Sequence, residues 1–108
     1  MKTLEKLKHN GIHLNQDEIN KICIKYKISE LSVFGSSLRD DFDANSDLDI
    51  LISFQDIWQN DPFDILYIAD EFKQFVKREV DIVCSDCVKN PIRRKNILSS
   101  REIIYGNK

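Results

Sequence analysis

The sequence predicts an α+β fold: a small mixed β-sheet with helices packed on one face. Three observations carry this. Apolar residues recur at helical spacing twice, over residues 15–26 and 63–76. Short apolar runs bounded by turn residues occur at 31–34, 47–54 and 80–83. Their order is helix, strand, strand, helix, strand, and then a short helix. At 108 residues, the chain suits a single domain, residues 1–108, around one modest core.

The first helix starts in Leu14-Asn15-Gln16-Asp17-Glu18-Ile19, where Asn15 caps, Glu18 closes a capping box and Leu14 staples to Ile19. Ile19, Ile22, Cys23 and Tyr26 then share one face, which leaves Lys21, Lys25 and Lys27 largely in solvent. Leu31-Ser32-Val33-Phe34 reads as a strand ending at Gly35, and Gly35-Ser36-Ser37-Leu38-Arg39 as a turn or short helix. A polar loop, residues 40–46, leads into the second strand. Asn60-Asp61-Pro62 reads as a helix start, with Asp61 as cap and Pro62 in the first helical position. Phe63, Leu66, Ile68, Ala69, Phe72, Phe75 and Val76 form its apolar stripe. Val80-Asp81-Ile82-Val83 is the third strand. The tail holds Pro91, the cations Lys89, Arg93, Arg94 and Lys95, and the apolar run Ile103-Ile104-Tyr105. Those cations read as a solvated helix face, or as a partner for phosphate or for an acidic protein. Trp58 and Phe63 either cover the core or mark a partner surface.

Composition excludes several classes. A formal net charge of −2 gives no overall basic field, so direct nucleic-acid binding is not expected. No apolar run approaches a membrane span, and Met1-Lys2-Thr3-Leu4-Glu5-Lys6 has no apolar signal region. A cytoplasmic protein with reduced thiols is the default. Three cysteines, Cys23, Cys84 and Cys87, argue against a disulfide framework. Cys84-Ser85-Asp86-Cys87 is formally C-x-x-C. A zinc site would need two more ligands, which His9 and His13 would supply only through a long-range coincidence.

The second strand holds the anomaly that points to chemistry. In Ser46-Asp47-Leu48-Asp49-Ile50-Leu51-Ile52 the aspartates share one strand face, with Cα atoms roughly 6.5–7 Å apart. Leu48, Ile50 and Ile52 take the other. A carboxylate in a packed strand must be paired, hydrogen-bonded or bound to a cation. The alternatives are an edge strand with a wet face and a site for a hard divalent metal such as Mg²⁺. Asp81, again among β-branched residues, is a second such acid. If its strand lies beside the second, three carboxylates meet, and two Mg²⁺ ions about 3.5–4 Å apart would offset their repulsion. Gly35-Ser36 lies one strand upstream, where glycine permits close backbone approach and N–H groups at a helix start bind anions.

Phe34-Gly35-Ser36, Arg39, Ser46-Asp47-Leu48-Asp49-Ile50-Leu51, Val80-Asp81-Ile82-Val83 and Arg101-Glu102-Ile103-Ile104-Tyr105-Gly106 together resemble the minimal nucleotidyltransferase (MNT) family of the DNA polymerase β-like superfamily. One departure is Asp40, where many relatives carry a small residue after the arginine. The resemblance implies a polymerase β palm-like fold and transfer of a nucleoside monophosphate, AMP from ATP, to an acceptor hydroxyl. It implies Asp47, Asp49 and Asp81 as ligands of two Mg²⁺ ions, with Asp81 also taking the acceptor proton. It implies Gly35 and Ser36 as contacts of the β and γ phosphates. Arg39 is either a further phosphate or partner contact or a surface arginine. The implied partner is a HEPN-domain toxin that is modified on tyrosine, with this chain as its antitoxin. Two alternatives stand: a silent subunit that neutralises by contact, and a small-molecule nucleotidyltransferase that works with a separate substrate-binding subunit.

Overall fold

The computed structural model describes residues 3–9, 11–35, 47–55, 63–85 and 88–106. Along them run α1 (Thr3–His9), α2 (Gln16–Lys25), β1 (Ile28–Phe34), β2 (Leu48–Phe54), α3 (Asp64–Val76), β3 (Val80–Cys84), α4 (Pro91–Ser100) and β4 (Glu102–Tyr105). The strands form one sheet in the order β3-β2-β1-β4. β1 is antiparallel to both β2 and β4, and β2 is parallel to β3, so the sheet is mixed as expected. Among the described residues no helix is long and apolar enough to cross a membrane.

Local chemistry places the helices. Asn15 caps α2 by accepting from the Asp17 amide at 2.8 Å, and Asp17 and Glu18 lie in the first turn, where they suit the helix dipole. Ile19, Ile22 and Cys23 are buried. The C-cap residue Tyr26 and Lys25 both reach Glu71, which ties α2 to α3. α3 is the crossover that a parallel β2–β3 pair requires. Its buried face is Ile68, Phe72 and Val76, with Ile65 and Phe75 partly covered. Phe63 and Leu66, expected in that stripe, instead stand in solvent at 61% and 63% exposure. Two residues turn a helix by about 200°, so Leu66 and Ile68 cannot share a face. The expected start at Asn60, Asp61 and Pro62, like Trp58, lies outside the described residues.

β1 begins three residues earlier than expected, and α1 and β4 were not expected as elements at all. Lys27, at φ +57, turns the chain into β1, and the β1–β2 register shifts between Ile28 and Glu30. That shift breaks the alternation by which a strand is read.

Leu31, Val33, Leu48, Ile50, Ile52, Ile68 and Phe72 are wholly buried in one cluster with residues of α1 and α2. Each contributes roughly 1.5–3 kcal/mol, well beyond an exposed pair such as Lys73–Glu79. The expected packing on one face describes α1 to α3. α4 adds a smaller contact on the other side. Leu51 points away from Ile50 and Ile52, is 2% exposed, and shares a small apolar gap with Val88, Ile97 and Leu98.

The closing segment is structural. Arg101 pairs with Glu30, both side chains being largely covered. Gly106, at φ +99, leaves no room for a side chain: a Cβ there would lie 2.5 Å from the Ser29 carbonyl oxygen and 3.1 Å from the Glu30 Cα. These are backbone atoms of β1. Gly106→Ala should therefore cost about 1–3 kcal/mol, read as a lower denaturation midpoint with the slope unchanged. A neutral result would show that β4 is held without this close approach.

Candidate active site

Strand alternation sets the site on the sheet face opposite the main core. Leu48, Ile50 and Ile52 are fully buried, so Asp49 projects the other way, half-buried, while Asp47 just before β2 is exposed. The parallel register pairs Asp49 directly with Asp81. Paired residues on neighbouring strands share a face, and the strands are about 4.8 Å apart. The sequence made this meeting conditional on β3 lying beside β2, and it does.

On the other flank, Phe34 pairs with Asp49 in the antiparallel register, and the next residue is Gly35. Its φ is +74, and a Cβ there would lie 2.6 Å from Asp49 Oδ2. The space a side chain would fill is taken by the Asp49 carboxylate, so the glycine of the Gly-Ser turn touches the acid directly. The order across the sheet is thus Gly35 at the end of β1, Asp49 on β2 and Asp81 on β3. Ser36 and Arg39, read from the sequence as phosphate contacts, lie outside the described residues, as does Asp40.

Electrostatics identify Asp49 as the strained member. Its carboxyl is raised from an ordinary 3.8 to about 6, first by burial and then by the charges of Asp81 and Asp47. Arg93 of α4 acts in the opposite sense. Among the described residues no three His, Cys, Asp or Glu side chains close into a ready metal cage. The donor set nevertheless fits a hard divalent cation: carboxylate oxygens on one face, crowded enough that ionising Asp49 costs more than it does in water. The C-x-x-C alternative gains no such support. Cys84 is buried and in no disulfide, Cys87 lies outside the described residues, and His9 and His13 are exposed.

The tail cations, one group in the sequence, divide in the structure. Arg94 donates to the Ser85 carbonyl and so holds the end of β3 to α4. Lys95 lines an open surface with Pro91 and Leu98. Lys89 and Arg93 face a cleft of about 310 Å³ at the outer edge of β3. Arg93 is the residue whose part at the site spacing alone did not show. The N-cap Asn90, which accepts from the amides of Ile92 and Arg93 at 3.0 and 3.2 Å, sets the start of α4 and with it the direction of that side chain.

Comparison with known proteins places the sequence and the fold. Residues 17–108 match the family described as polymerase beta, nucleotidyltransferase. A protein of Methanocaldococcus jannaschii named as a protein adenylyltransferase is 31% identical over 81 residues, covering 75% of this chain and 79% of its own. A second from that organism, similarly named, is 27% identical over 108 residues, covering 97% and 99%. Among solved structures, a minimal nucleotidyltransferase superposes with a TM-score of 0.70 at 24% identity, covering 94% of this chain and 95% of its own. A toxin–antitoxin structure with AMP-PNP gives 0.70 at 21%, covering 88% and 76%. A Shewanella oneidensis complex of tri-AMPylated HEPN toxin with MNT antitoxin gives 0.62 at 17%, covering 94% and 73%.

Proposed function

Because this chain belongs to the polymerase β nucleotidyltransferase family and is a nucleotidyltransferase, we propose that it transfers AMP from ATP to a hydroxyl of a partner protein, a HEPN-type toxin for which it is the antitoxin. The observation that carries the reading is the Asp49–Asp81 register with Gly35 packed against the Asp49 carboxylate. The names of the archaeal relatives support protein as acceptor. The AMP-PNP complex and the HEPN–MNT complex support nucleotide and partner.

In this reading residues 1–108 act as one minimal transferase domain in the cytoplasm, and the partner supplies the acceptor. Asp47, Asp49 and Asp81 hold two Mg²⁺ ions, which when bound offset phosphate charge and lower the pKa of the acceptor hydroxyl. Gly35 lets the backbone approach the triphosphate, Ser36 donates to the β and γ phosphates, and Arg39 adds a further contact. Asp81, on the flank of the site away from Gly35, takes the acceptor proton as the new P–O bond forms and pyrophosphate leaves.

The test is incubation with labelled ATP, Mg²⁺ and a HEPN-domain protein encoded beside this one. Label on the partner, lost with Asp47→Ala, is the expected result. Tight binding without label, unchanged by Asp47→Ala, would overturn the proposal in favour of neutralisation by contact. Label on an aminoglycoside alone would make the acceptor a small molecule.

A further inference from the structure

α4 packs on the acid-bearing face of the sheet, and its first turn stands beside the acids. The buried Ile97 seats it against Leu51, which projects on the same side of β2 as Asp49. Leu51 pairs with Val83 as Asp49 pairs with Asp81, so these four side chains share one face. Helix neighbours diverge by about 100°, and the two arginines of α4 separate accordingly. Arg94 donates to the Ser85 carbonyl, beyond the end of β3. Arg93 instead lines the cleft beside Val83, two residues along that face from Asp81, a Cα separation of about 6.5–7 Å. The cleft wraps the edge of β3: Ile65 and Ile82 close it from the core side, whereas Arg93 comes from α4 on the acid side. The positive charge of Arg93 is felt at Asp49, whose carboxyl it acts to lower. Yet among the described residues its exposed guanidinium makes neither an ion pair nor a hydrogen bond. A cation near the acids but bonded to none of them is free for an anion that arrives at the same place.

We propose that Arg93 is a further catalytic residue, which donates to the non-bridging oxygens of the α-phosphate of the bound nucleotide. The inference rests on the transfer reading above. In that reading Gly35 and Ser36 take the β and γ phosphates on the β1 flank, the α-phosphorus falls at the acids, and Arg93 is the cation on its β3 side. The planar guanidinium fits two phosphate oxygens at once. Lys89 shares the cleft but precedes the helix, off the face that Ile97 turns to the sheet. In the reaction the acceptor oxygen bonds to the α-phosphorus, the α–β bridging P–O bond breaks, and pyrophosphate leaves with that electron pair. The acceptor proton passes to Asp81. Arg93 exchanges no proton and offsets the charge that gathers on the non-bridging oxygens as the bonds change.

The test uses the whole chain with Mg²⁺ and two probes: AMP, which carries the α-phosphate alone, and pyrophosphate, which represents the leaving half. Arg93→Gln should weaken AMP about tenfold, the worth of one charge-assisted contact, and leave pyrophosphate within about twofold. Lys89→Gln should change neither. Unchanged AMP affinity in Arg93→Gln, or an equal loss of both probes, would overturn the contact. An equal loss of AMP in Lys89→Gln would overturn it too, because the cause would then be the diffuse field of the cluster. In the labelled-ATP assay with the HEPN-domain protein, Arg93→Ala should be about 10²-fold slower and should regain rate with added guanidinium ion. A slow variant that guanidinium does not restore would make Arg93 a structural residue and sink the proposal. If wild type labels no acceptor, the transfer reading falls, and the comparison of AMP with pyrophosphate decides Arg93 by itself.

Discussion

Asp49→Asn is expected to remove transfer activity by about 10³-fold or more, on the order of 4 kcal/mol, and to make the metal-free protein more stable. The two effects have one cause. Asp49 stands beside Asp81 and close to Asp47, and burial with their charge lifts its carboxyl from 3.8 to about 6. The folded protein therefore binds this proton more tightly than the unfolded chain. Its stabilising effect is fully present below pH about 4, is lost as pH rises through about 6, and above that leaves a constant penalty for holding the ionised group. Discounted for the solvent that reaches a half-buried side chain, the penalty at neutral pH is about 1 kcal/mol. Asparagine removes it with almost no change in shape. Denaturation at pH 5 and 7.5 should show wild type losing stability between the two values and Asp49→Asn losing less. Under the proposed two-metal reading, added Mg²⁺ should reverse the ranking, because Asp49→Asn removes one of the three carboxylates proposed to bind it; saturation at about 100 times Kd is worth about 2.7 kcal/mol. A variant that is less stable than wild type without metal would show that Asp49 is an ordinary satisfied carboxylate.

How far the site was legible depends on the kind of signal each residue carries. Asp49 could be read because an acid inside a β-branched run has to be explained, and period-two alternation says which neighbours share its face. Asp81 was expected to be buried by the same rule and is instead exposed on the edge strand β3, so it reaches the site through the register and not through burial. Their pairing needed only β3 beside β2. The start of β1 was hidden by the register shift between Ile28 and Glu30, and β4 by its four residues and a second shift between Leu31 and Ser32. α1 spans seven residues, too few for its period to stand out around Leu7. The assignment of Leu66 to the buried stripe was an error of helical phase. Arg93 was legible only as one of four cations. Which of them meets the acids depends on how Ile97 seats α4 near Leu51 and on Arg94 gripping the end of β3. Both are long-range contacts that no local spacing encodes.

Gly35→Ala is expected to damage the site much more than the fold. The backbone conformation at φ +74 costs a non-glycine residue about 1–2 kcal/mol. The steric conflict is of another kind. The atom facing the new methyl is Asp49 Oδ2, at 2.6 Å, with Asp49 Cγ and Cβ at 3.5 and 3.7 Å. A carboxylate at the end of a short side chain can rotate away, so the structure yields there and not in the backbone of β2. The loss of stability should stay near the backbone term alone. Activity should fall further, about 10²-fold, because a misplacement of about 1 Å in a reacting constellation has that cost. A carboxyl swung out of its buried place also leaves the burial and the neighbouring charges that raised it. Titration of the Asp49 carboxyl by NMR should accordingly move from about 6 back toward 3.8 in Gly35→Ala. Loss of activity with the Asp49 titration unmoved would mean that Gly35 serves the approaching phosphate alone. An unmoved titration with full activity would mean that the turn accommodates the methyl, and that the contact between Gly35 and Asp49 does not position the site.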